Sequence, residues 1–168
     1  DFTHKIFIAG NHDFGFELVH EIAPEYQEKG VHYLYDSEVV IDGVKFYGSP
    51  WQPEFFDWAF NLPRGEKLAE KWALVPDDTN VLITHGPAFG MLDWTPNGLQ
   101  VGCEDLFQTV MKVQPSIHVC GHIHCAYGQK NFNNVEFLNA AVLNERYQYE
   151  NKPIVLDFDI KTKQIDYI

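Results

Sequence analysis

Three short segments of this 168-residue chain gather residues that can hold a metal ion. They are Gly10-Asn11-His12-Asp13, Thr84-His85-Gly86-Pro87 and Gly121-His122-Ile123-His124. Neutral imidazole is a common ligand for Zn, Fe, Mn and Ni, and a carboxamide or carboxylate oxygen suits the harder members of that set. His122 and His124 are two apart. In an extended segment both would point to one side; in a loop they can serve two adjacent sites. Gly10 and Gly121 lack a Cβ, so the backbone can turn sharply and approach a ligand. Two metals about 3.5–4 Å apart can hold a shared hydroxide and clamp both oxygens of an in-line phosphoryl displacement. That chemistry needs more oxygen ligands than Asn11 provides, normally including a bridging carboxylate.

Each segment follows a short apolar run: residues 5–9, 80–84 and 117–120. Runs of this kind read as buried strands. In sheets covered by helices, ligand sites form at the carboxyl ends of strands. Three strand ends would then deliver His and Asn side chains to one spot. Further strands are predicted over 31–35, 38–41, 45–48, 135–138, 153–159 and 164–168. Asp42-Gly43 is a hairpin signal between the second and third of these. Residues 16–29 look helical but are broken by Pro24. Residues 64–74 have helical composition. Residues 103–113 read as an amphipathic helix with Leu106, Val110 and Val113 on one face. Residues 91–102 read as a loop.

Composition bounds the alternatives. Hydrophobic residues make up 45% and charged residues 21%, which excludes wholesale disorder. Lys and Arg number 12 against 24 Asp and Glu, a net charge of −12. A surface this acidic argues against nucleic-acid backbones and anionic membranes as partners. It does not exclude a phosphate-bearing substrate, because a bound metal reverses the local field. No stretch approaches 18 apolar residues, so no membrane span is expected. Cys103, Cys120 and Cys125 form no CxxC pair and read as reduced thiols in a cytoplasmic protein.

The three ordered motifs resemble the later motifs of the calcineurin-like metallophosphoesterases. The surrounding wording is similar to the MPPED-like (metallophosphoesterase domain-containing) branch: IAGNHDFGFE, GSPWQPEF, LITHGPAFGMLDW, VGCEDL and IHVCGHIHCAYG. The resemblance runs from about Lys5 to Asp157. It implies an α/β fold, a four-layer α-β-β-α sandwich, with a dinuclear metal centre between the sheets. Residues 1–168 would form one domain lacking its N-terminal strand–helix segment. The family's Asp-x-His motif and the Gly-Asp motif with its bridging Asp are absent from this chain, and the expectation is that they lie upstream of Asp1.

By the same resemblance, Asn11, His85 and His122 would bind the second metal and His124 the first. His12 would be the catalytic group, stabilising developing charge or protonating the leaving oxygen. Asp13 would support the loop. Some animal members of the branch carry Gly where this chain has His122, so its presence favours a full second site. The cofactors would be two divalent transition-metal ions among Mn, Fe, Zn, Ni and Co, with Mn favoured. The implied activity is hydrolysis of a phosphate ester, a phosphodiester rather than a monoester, by a metal-bridging hydroxide. The partner would be a small phosphoester, nucleotide-type included. The rival reading is a catalytically inactive fold serving as a scaffold or binding module.

Other residues have weaker contexts. His4, His20, His32 and His118 read as surface or core histidines. Trp51, Phe55, Phe56 and Trp58 are read as core in preference to stacking on a nucleobase. Trp94 and Asn139 are expected to line or adjoin the pocket.

Overall fold

The computed structural model describes residues 2–18 and 27–168. Its centre is a six-stranded mixed sheet in the order β3-β4-β7-β8-β10-β9. The strands are β3 (Ser37–Ile41), β4 (Val44–Ser49), β7 (Val81–Thr84), β8 (Ile117–Cys120), β9 (Gly128–Phe132) and β10 (Val135–Asn139). Strands β4, β7, β8 and β10 run parallel, with Ser49 beside Thr84, Ile83 beside Val119, and Asn139 beside Cys120. Their carboxyl ends therefore share one edge, which is the geometric condition for a composite site. β3 and β9 close the two sides antiparallel.

The central strands β7 and β8 form over largely apolar runs, because strands covered on both faces need no polar alternation. Asp42 and Gly43 both take positive φ, as a two-residue primed turn between β3 and β4 requires. β9 was not expected: GQKNF is polar and largely exposed, as suits an edge strand. It is joined to β10 by Asn133-Asn134, again both at positive φ.

Helices α2 (Glu66–Trp72) and α3 (Glu104–Val113) pack with one sheet face. Leu106, Val110 and Val113 are the buried face of α3, as the periodicity requires. Its N-cap is Cys103, whose Sγ accepts from the Leu106 amide and from Trp72 Nε1. Cys103 and Cys120 are buried free thiols and Cys125 is partly exposed and also free. The other sheet face carries Val81, Ile117 and Leu138, covered by the hairpin β11 (Leu156–Asp159) and β12 (Gln164–Tyr167) through Leu156, Phe158 and Ile165. The parallel pair β1 (Lys5–Phe7) and β2 (Val31–Tyr33) leads into contacts with β4, where Ile8 and Leu34 crowd Gly48. Two-residue strands β5 (Gln52–Pro53) and β6 (Asn61–Leu62) pair alongside. α1 covers Phe14–Leu18. The expected Pro24 break and His20 lie outside the described residues. No helix among the described residues is long and apolar enough to cross a membrane.

His118 is a core histidine and is fully buried on β8. Its Nε2 pairs with Thr84 Oγ1 at 2.8 Å, and that hydroxyl donates to the Gly86 carbonyl at 2.7 Å. The network assigns the proton to Nε2, leaving Nδ1 without a partner among the described residues. Burial lowers the His118 pKa from 6.5 to about 3. Below pH 6.5 the unfolded chain takes up a proton that the folded chain refuses until about pH 3. Stability is therefore complete above pH 6.5 and drains away as pH falls through that window, with a slope of at most about 1.4 kcal/mol per pH unit from this group. Urea unfolding at pH 7 and pH 5 checks this. His118→Gln should flatten the acid limb relative to the parent chain.

Candidate metal and phosphoester site

The three strand ends do converge. Gly10 lies beyond β1, His85 directly follows β7, and Gly121-His122 follows β8. His85 Nε2 sits 2.8 Å from Asn11 Oδ1 and 3.0 Å from His122 Nδ1. The Asn11 amide donates to the same His85 nitrogen at 3.3 Å. Three atoms that carry lone pairs thus crowd one point. Ligand atoms about 2.1 Å from one ion, at right angles around it, would be about 3 Å apart, which is the spacing seen.

Electrostatics keep these imidazoles neutral. Burial, then the neighbouring His122, His12 and His124, lowers the His85 pKa to about 3. Burial, then His124 and His12, lowers that of His122 to about 4. At neutral pH both rings keep a free lone pair with no proton to displace. The backbone at His122 is itself unusual, with φ of +66. Gly121 N donates to the His85 carbonyl and Ile123 N to the Gly121 carbonyl, which holds the turn in place. Strain of this kind concentrates at functional sites.

Gly10 shows how little space the loop leaves. A Cβ there would meet the His85 ring at 2.6 Å. Gly10→Ala should displace His85 and weaken Mn²⁺ binding about 10–100-fold, the range for disturbing the support of a metal ligand, with the circular dichroism spectrum unchanged. Calorimetric titration with Mn²⁺ measures it.

His124 opens a 3₁₀ turn (His124–Ala126), and its Nδ1 donates to the Asn144 carbonyl at 2.9 Å, which leaves Nε2 for a ligand. It lines one cavity of about 430 Å³ together with Asn11, His12, His85 and His122. His12 stands against Trp58, ring centroids 5.2 Å apart. Asp13 Oδ2 accepts from the Gly10 amide at 2.8 Å, supporting the loop. Asn139 is fully buried and donates from Nδ2 to the Leu92 and Ile123 carbonyls, pinning the loop that carries His122 and His124. Trp94 does not line this cavity; its neighbours Thr95 and Pro96 do. Its carbonyl accepts from Cys125 Sγ instead.

Two features escaped the sequence reading. Asn144 organises the loop that meets His124: its Oδ1 accepts from the Arg146 and Gln148 amides, and its Nδ2 donates to Glu150. Tyr147 lies edge-on to the His124 ring, centroids 5.3 Å apart. Asn with following polar residues signals a turn, but nothing local reveals which histidine the turn will meet.

Across the described residues, no group of three or more His, Cys, Asp or Glu side chains is arranged to hold a metal ion. The oxygen beside the two imidazoles is the Asn11 carboxamide, at 2.8 Å from His85 Nε2. The donor set of two imidazoles and one carboxamide fits a divalent transition metal.

A model of the calcineurin-like phosphoesterase family matches residues 2–126. The chain belongs to the calcineurin-like phosphoesterase family. Among curated members, Metallophosphoesterase domain-containing protein 1 of Homo sapiens is 44% identical over 180 residues, covering 93% of this chain and 55% of its own length. A UPF0046 protein of Caenorhabditis elegans is 41% identical over 173 residues, covering 95% of this chain and 59% of its own. The chain therefore spans little more than half the length of these relatives. One crystal structure shares the fold with a TM-score of 0.66, over 97% of this chain and 64% of that one, at 16% identity. The mixed α/β architecture is that of a metallophosphoesterase.

Proposed function

We propose that the chain carries the second-metal half of a metal-dependent phosphodiesterase site acting on small phosphoesters, nucleotide-type esters included, in the cytoplasm. The observation that supports it is His85 Nε2 lying 2.8 Å from Asn11 Oδ1 and 3.0 Å from His122 Nδ1. These three would hold one divalent ion, with Mn favoured, and His124 Nε2 would face a second. When bound, the ions supply Lewis-acid activation of the phosphoryl group and of the attacking water. The chain's own residues do the rest. His12, held against Trp58, hands a proton to the departing ester oxygen. Asp13 and Asn139 fix the two loops that set the ligand spacing.

The test is hydrolysis of bis(p-nitrophenyl) phosphate with Mn²⁺, using protein completed upstream with the Asp-x-His and Gly-Asp segment. Hydrolysis supports the reading; no hydrolysis with the metal sites full removes it. The second reading, an inactive fold used as a binding module, draws on the exposed rings of Phe55 and Phe56. It predicts that the completed protein holds no stoichiometric metal.

A further inference from the structure

The aromatic run after β5 does not enter the core as a unit. Phe55 and Phe56 are 55% and 70% exposed, contrary to the core expectation. Trp51 and Phe60 alone of this stretch turn inward, against Tyr35. The exposed rings are nevertheless assembled. Centroids lie 4.3 Å apart for Phe55 and Phe56, 5.5 Å for Phe55 and Trp58, and 5.3 Å for Phe56 and Trp58. Trp58 is the inner member, 5.2 Å from His12 and 6.2 Å from His122, meeting the latter edge-on at 89°.

Two cavities meet these rings. Trp58 lines the 430 Å³ cavity that holds the histidine cluster. Phe55 lines a second cavity of about 360 Å³, which shares Thr95, His122 and Ile123 with the first. That second cavity is otherwise lined largely by apolar groups, among them Pro87, Leu99 and Val101. An exposed apolar cluster of large rings marks a binding surface. Its contact with His12 and His122 decides the occupant. A phosphoester placed for a proton from His12 has Trp58 on the wall beside it and, through the shared Thr95, His122 and Ile123, a path to Phe55, against which Phe56 packs. The partner these rings suit best is another ring, packed offset or edge-to-face.

Resting on the phosphodiesterase reading above, we propose that Phe55, Phe56 and Trp58 form a platform that binds an aromatic ring carried by the substrate, so that the site selects esters whose organic arm bears an aromatic ring over esters whose arm is wholly aliphatic. The platform acts through ring packing and requires no base-specific hydrogen bond.

Binding of two probes with no ester bond tests this on the chain itself. Phenylphosphonate and methylphosphonate are titrated in the presence of Mn²⁺, by calorimetry and by tryptophan fluorescence. The wild-type chain should bind phenylphosphonate at least about tenfold more tightly, with quenching of tryptophan emission. The pair Phe55→Ala with Phe56→Ala, both at exposed positions, should bring that ratio toward one. Equal affinities in the wild-type chain would overturn the platform, whatever the variants do. An aryl preference untouched by the paired substitution would overturn it as well. Failure of the phosphodiesterase reading would show differently, as a persistent phenyl preference with no hydrolysis of bis(p-nitrophenyl) phosphate.

Discussion

His12→Ala should lower the rate of alkyl phosphodiester hydrolysis by about 10²–10⁴-fold, the usual contribution of a positioned proton donor, while metal content stays unchanged. The reason is geometric. The ligand cluster is made by His85 Nε2, His122 Nδ1 and Asn11 Oδ1, and His12 is outside it, against Trp58 on the wall of the same cavity. Removing the ring deletes a proton source and leaves the ligand atoms in place. The effect should depend on the leaving group. An alkoxide leaves poorly without a proton, whereas p-nitrophenolate leaves readily, so the loss should shrink sharply for bis(p-nitrophenyl) phosphate. Rates for both esters, with metal content measured on each preparation, check the expectation. An equal loss on both esters, accompanied by loss of metal, would make His12 a ligand instead.

The second large effect concerns His85. It contacts both other members of the cluster, so His85→Ala leaves Asn11 and His122 without that shared neighbour. Disturbing the support of a metal ligand costs about 10–100-fold in affinity, and deleting the ligand itself should exceed that. Mn²⁺ affinity and hydrolysis should fall together, by at least about 10²-fold. The fold should survive: the β7 strand before His85 is anchored by Leu82 in the core and by Thr84 through His118. A His85→Ala chain that retained full Mn²⁺ affinity would remove the ring from the site.

Much of this site was legible because its strands are short, apolar and parallel. Residues 117–120 needed no adjustment, and 80–84 shifted by one residue. A buried parallel strand announces itself by an unbroken apolar run, and a Gly-His loop at its end marks a candidate site. The α3 face was legible for a similar reason, since Leu106, Val110 and Val113 repeat at helical spacing. What stayed hidden depends on contacts between distant segments. β9 is polar and exists because β10 offers it an edge. The Asn144 carbonyl accepts from a histidine 20 residues away, a role that belongs to the backbone and leaves no mark on the side chain. The aromatic run misled because large rings are usually buried. Here Phe56 takes φ of +53 in an irregular loop, which turns the segment outward beside the histidines.

The most direct test of the central claim is a crystal structure of the chain grown with Mn²⁺, read by anomalous scattering. The account predicts an anomalous peak within ligand distance of all three atoms, His85 Nε2, His122 Nδ1 and Asn11 Oδ1. Anomalous density elsewhere on the chain, with these three side chains still hydrogen-bonded to one another and no peak among them, would contradict it.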